Sequence, residues 1–148
     1  PPAGLFYSKV SGPFRSIIPS IRPQIQREGI EFIVIDSMGA ACGCESGSSS
    51  EIIGLFNSLL SLGVTVLVID HIAKPSQFGD NTKPFGSVYK FNMARSVIYI
   101  KKTDVVDNGM TVQLMQFKNN ISKLADPIKV NFIFSTDAVT MDRKEVIH

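Results

Sequence analysis

Three observations predict an α/β fold. The stretch E-F-I-V-I-D-S, Glu31 to Ser37, runs four apolar residues into a carboxylate and a hydroxyl. The same pattern returns as V-T-V-L-V-I-D-H, Val64 to His71, with a helical pattern between the two copies. The second half changes character and carries strand runs separated by hairpin turn signals. A short, unbroken, β-branched run suits a strand buried on both faces of a parallel sheet. Strand, helix, strand then makes a right-handed βαβ unit, extended by antiparallel strands. Open sheets of this kind bind ligands at the carboxyl ends of their strands. Asp36, Ser37, Asp70 and His71 are therefore expected at one edge.

The elements follow in order. Leu5 to Lys9 reads as a short strand. From Ser11, the residues Phe14, Ile17, Ile18, Ile21 and Ile25 fall near one helical face. Pro13 suits a first turn, whereas Pro19 and Pro23 predict a kink or two pieces. Gly29 closes that segment and the first strand begins. Gly39 to Gly47 is rich in small residues and reads as a flexible loop. Ser48 and Glu51 form a capping box, followed by Ile52, Leu55, Phe56, Leu59 and Leu60 at helical spacing. Gly63 ends that helix. Ala73 to Pro84 reads as a mobile loop and Gly86 to Met93 as a short helix. Ser96 to Lys101 and Met110 to Lys118 are strands, joined through Asp107-Asn108-Gly109. Ile128 to Phe134 and Val139 to Met141 form the last hairpin.

Length and composition bound the function. The 148 residues fit one domain, with 44% hydrophobic and 19% charged residues. No apolar run approaches the roughly 20 residues that cross a bilayer. The start, P-P-A-G-L-F-Y, has no initiator Met and no basic signal region, so the chain reads as a piece of a longer cytoplasmic protein. A formal net charge of +2 neither marks nor excludes a nucleic-acid partner. Cys42 and Cys44 are too close for a good disulfide and read as free thiols.

The ordered set D-S after one strand, I-D-H-I-A-K after the next, then F-G-S, A-R-S-V-I-Y-I and F-K-N-N is similar to the second half of a RecA-like P-loop ATPase core. The resemblance runs from about Gly29 to Phe134. It is nearest to the RepA-type hexameric helicase family, with DnaB-type helicases and KaiC further away. It implies ATP and Mg²⁺ as cofactors, DNA as a partner, and a homo-oligomeric ring. Asp36 matches the Walker B aspartate, which holds Mg²⁺ against the β- and γ-phosphates. An aspartate after an apolar strand also serves as a plain loop cap. His71 matches the residue that senses the γ-phosphate, and Asp70 beside it would orient it or hold a water. Gly86-Ser87 matches a Gly-Ser step that approaches ligand or neighbour. Pro75 to Pro84 falls where the family places DNA-contacting loops. Lys118 matches a lysine that reaches the adjacent subunit's γ-phosphate. Asn120 stands where the DnaB-like and KaiC-like pattern has arginine, although RepA-like sequences also tend to K-N-N, and an amide cannot supply that charge.

Two departures weigh against a complete site. No G-x-x-x-x-G-K-[ST] loop occurs in these residues, and the family's catalytic glutamate is missing. The P-loop strand of such a sheet lies between strands present here, so a gap or exposed strand edges are expected. The isolated chain is expected neither to bind ATP tightly nor to hydrolyse it. Two other readings remain. Asp36, Asp70 and His71 could form a metal-dependent nuclease or phosphatase site, or the chain could be a non-catalytic assembly module of ATPase fold.

Overall fold

The chain folds as alternating strand and helix followed by an all-strand meander. The computed structural model describes residues 4–43, 48–71 and 88–144. It divides into two compact units, Pro1–Met93 and Ala94–His148.

The first unit is built on two parallel strands. After a 3₁₀ turn at Phe14–Ile17, helix α1 spans Ile18–Glu28. A 3₁₀ turn and a helix thus form in sequence, and Pro19 falls in the first turn of α1, where its missing N–H costs nothing, whereas Pro23 lies inside α1 and does not divide it as expected. Gly29 caps the helix at φ 62°, and the Ile30 N–H reaches back 3.0 Å to the Ile25 carbonyl. Strand β1 is Phe32–Asp36 and helix α2 is Met38–Cys42. The loop expected from Gly39 therefore begins as a helix. Its small residues fit because Met38, Ala41 and Cys42 are buried against the core. Gly43 ends α2 at φ 72°, and a Cβ there would meet Pro13 Cγ at 2.5 Å. Cys44 lies outside the described residues.

Helix α3, Ser49–Leu60, opens on the predicted cap. The Glu51 N–H donates to Ser48 Oγ at 3.4 Å, and that hydroxyl lies 3.0 Å from the Glu51 carboxylate. Strand β2, Thr65–Ile69, pairs parallel to β1 with Phe32 opposite Thr65 and Asp36 opposite Ile69. The short helix α4 is Tyr89–Met93. Ile33, Ile35, Val66 and Val68 point to a core centred on Ile52 and Leu55, which are 0% and 2% exposed. The opposite face carries Phe32, Val34, Leu67 and Ile69, all exposed. Burial on both faces is thus not met among the described residues. An apolar run records that a strand can be covered twice, not that both covers lie in the same stretch of chain.

The second unit holds strands β3 (Ser96–Val106), β4 (Gly109–Asn119), β5 (Ile128–Phe134) and β6 (Val139–Lys144). They form an antiparallel sheet in sequence order, as expected, and share no ladder with β1 and β2. Ile100, Leu114 and Ile128 stand across from one another on one face, as do Met110, Phe132 and Met141. Tyr99 stacks on Phe117 with ring centroids 5.7 Å apart. Residues 5–9 form no strand, and Leu5, Phe6 and Tyr7 are exposed. Without a neighbouring strand to pair with, an extended segment gains no ladder bonds.

The core makes a direct prediction. Leu55→Ala should lower the unfolding free energy by about 2–5 kcal/mol, because it opens a cavity among residues that cannot all collapse inward. Leu60→Ala, at a 61% exposed position on the same helix, should shift it by about 0.5 kcal/mol or less. Urea titrations of both variants check this.

Candidate functional site

The parallel register decides what the strand ends can present. Asp36 closes β1 opposite Ile69, so Asp70 and His71 follow directly at the neighbouring strand's carboxyl end. The structure therefore brings Asp36, Ser37, Asp70 and His71 to one rim.

These residues do not play equal parts. Asp36 is exposed and makes no hydrogen bond or ion pair among the described residues. It shares strand parity with the exposed Phe32 and Val34. The peptide joining it to Ser37 is cis. Ser37 is extended and opens α2, and its carbonyl accepts the Ala41 N–H at 3.0 Å. Its hydroxyl makes no cap bond. His71 is exposed, and its backbone N–H donates to Asp70 Oδ1 at 3.0 Å.

Asp70 has the opposite parity. It follows Val66 and Val68, which pack on the core. Its Oδ2 accepts from the Lys90 ammonium at 2.9 Å, with side chains 20% and 9% exposed. Asp70 is thus engaged by α4 rather than offered to a ligand. Lys90 carries no mark in the sequence beyond being a lysine among Tyr89, Phe91 and Met93 in a short apolar helix. Its partner is twenty residues away, across a segment whose course no local pattern gives.

The same pairing bears on the hydrolase reading. Among the described residues, no three of His, Cys, Asp and Glu are gathered so as to hold a metal. Asp36, Asp70 and His71 share a sheet end, but alternation along β2 turns Asp70 toward the helix layer. Of the three, Asp36 is the exposed carboxylate on a strand end, with no protein donor on its side chain among the described residues. A shallow surface depression lined by Arg15, Ala41, Cys42, Glu51 and Leu55 includes none of the rim residues.

Lys118 and Asn120 belong to the second unit. Lys118 pairs with Val97 in the last turn of the β3–β4 ladder, and Asn120 follows β4 with its N–H on the Arg95 carbonyl at 2.9 Å. Between them, Asn119 folds the chain back. Its Oδ1 accepts the Ile121 N–H at 3.0 Å and its Nδ2 donates to Ser122 Oγ at 2.7 Å. The Asn119 Oδ1 bond to the N–H two residues on is an Asx-turn, which explains part of K-N-N without a ligand. Gly86, Ser87, Lys74 and the loop Pro75 to Pro84 lie outside the described residues.

No family model and no curated protein matches the chain. A solved structure does, that of a KaiC-like protein from the hyperthermophilic archaeon Pyrococcus horikoshii, with a TM-score of 0.60. The chain has a RecA-like fold. The likeness covers 87% of this chain and 56% of that one, at 15% identity. The chain therefore spans little more than half the length of its RecA-like neighbour. Among the described residues, no helix is long and apolar enough to cross a membrane.

Asp36 and Asp70 should separate in stability. Asp36→Asn should leave the urea midpoint within about 0.5 kcal/mol of the parent, since no partner is lost. Asp70→Asn should cost about 3–5 kcal/mol, because Lys90 would stay buried without its counter-charge. Equal losses would show that Asp36 is a structural cap.

Proposed function

We propose that the chain is the C-terminal part of a RecA-like, DNA-associated ATPase of the RepA type. Asp36 would hold Mg²⁺ and His71 would sense the γ-phosphate. The observation that carries the reading is the β1–β2 register. It sets a partner-free carboxylate and an exposed imidazole at the carboxyl ends of adjacent parallel strands. That is the edge at which open α/β sheets take ligands.

The chemistry fits the residues present. When bound, Mg²⁺ draws charge from the β- and γ-phosphates. The Asp36 carboxylate would anchor that ion, and the neighbouring Ser37 hydroxyl would order its water. A neutral His71 ring can donate to a phosphate oxygen from one nitrogen and accept from the loop beyond with the other. Ser87, Gly86, Lys118 and Asn120 belong to the same proposal as ligand-side or trans-acting groups. So do DNA as partner, a homo-oligomeric ring and a cytoplasmic setting.

Two features support a divided site. β2 carries no strand on its side away from β1 among the described residues. One face of the β1–β2 sheet is apolar and open. A P-loop strand and its helix, encoded upstream, would fill both and bring the phosphate-binding backbone to Asp36. The metal-dependent hydrolase reading has no such support, because Asp70 is neutralised.

The test is enzymatic. The 148-residue chain alone should show no Mg²⁺-dependent ATP turnover. Extended by its upstream coding sequence, the protein should turn over ATP, and Asp36→Asn should lower the rate by about 10²–10³-fold. Turnover by the chain alone, or an Asp36→Asn rate equal to the parent's, would overturn the reading.

A further inference from the structure

We propose that Lys90 is a positioning residue for the rim: through Asp70 it fixes the backbone from which His71 projects. The role assigned to His71 rests on the nucleotide reading above. The clamp itself does not.

The argument starts from cost. Lysine is almost never buried unless paired, and Lys90 is the buried charged residue among those described. A buried ion pair adds little stability over apolar side chains of similar volume. The pair is therefore a poor device for strengthening the core, and its value lies in direction. Asp70 uses one oxygen on helix α4 and the other on the N–H of the residue that follows it. Oδ2 takes the Lys90 ammonium from α4 at 2.9 Å, and Oδ1 takes the His71 N–H at 3.0 Å. A carboxylate is planar, so fixing one oxygen orients the other. The helix α4 packs against α3, which carries the best-buried residues of the unit. The orientation of the His71 backbone is thereby tied to that helix layer.

The pair also sets the charge offered at the rim. With Asp70 neutralised by Lys90, Asp36 is the carboxylate left to meet a cation. Without Lys90, a second uncompensated carboxylate would sit beside any polyphosphate bound there and repel it.

Backbone ¹⁵N relaxation on the 148-residue chain tests the clamp. In the parent, the His71 order parameter should be near about 0.85, the value of rigid backbone. In Lys90→Met it should fall below about 0.6 while those of Ile52 and Leu55 stay unchanged, and Lys90→Arg should restore it. Because Lys90→Met leaves a buried charge and could unfold, a second variant replaces both partners: Asp70→Leu with Lys90→Met. It should keep the parent's urea midpoint and still loosen His71. A merely structural pair predicts the reverse, with His71 as rigid as in the parent. That result, or an unchanged order parameter in Lys90→Met, would overturn the proposal. In the upstream-extended protein the double variant should lower kcat about tenfold or more, with KM for ATP changed less than twofold. Loss of ATPase activity altogether in the parent would sink the nucleotide reading and leave the relaxation result standing.

Discussion

Two parallel strands cannot be joined by a tight turn, and the first unit is organised by that constraint. The chain must cross from the carboxyl end of β1 back to the amino end of β2, and α3 makes that crossing. The crossover lays a helix on one face of the sheet. Ile52, Leu55 and Leu59 of α3 then bury against Ile33, Ile35, Val66 and Val68. The same connection aligns both strands in one direction, so their carboxyl ends lie together. Core and rim are thus two consequences of a single crossover. A slip of one residue in either strand would send the core side chains outward and move Asp36 away from the level of Ile69.

What could be seen in the sequence follows from how local each signal is. The capping pair Ser48 and Glu51, the periodic apolar face of α3 and the Asp107-Asn108-Gly109 hairpin signal depend on residues a few positions apart. The cap forms as read, and the apolar face forms except that Leu60 is exposed. The hairpin turns on Asp107 and Asn108, with Gly109 already paired to Val106. The short helix α2 was hidden because Gly39, Ala40 and Ala41 look like a loop. Its helicity comes from burying Met38, Ala41 and Cys42, a tertiary effect that overrides composition. The Asp70–Lys90 pair was hidden for a related reason: attraction between two residues twenty apart is set by the path of the intervening chain. Composition also could not say how many faces of β1 are covered.

The second unit shows the complementary case. Antiparallel strands need only hairpins, so β3 to β6 follow one another without helices. On the face bearing Ile100, Leu114 and Met141, Val112 is buried while Ile100 and Met141 remain exposed. Both sheets thus present apolar surface larger than a scatter of single residues would give.

Parity along a strand finally separates two carboxylates that look alike on paper. Asp36 and Asp70 each end an apolar run, and each precedes a polar residue. Asp36 falls in step with Phe32 and Val34, whose side chains leave the core. Asp70 falls in step with Val66 and Val68, whose side chains enter it. The first carboxylate lies exposed to water. The second must find a counter-charge inside, and Lys90 supplies it at 2.9 Å. The repeated motif therefore yields one exposed carboxylate and one that is paired with a lysine and accepts the N–H of the neighbouring histidine. A repeat in the sequence is not a repeat in role, because the face on which the last residue lands decides which of the two it becomes.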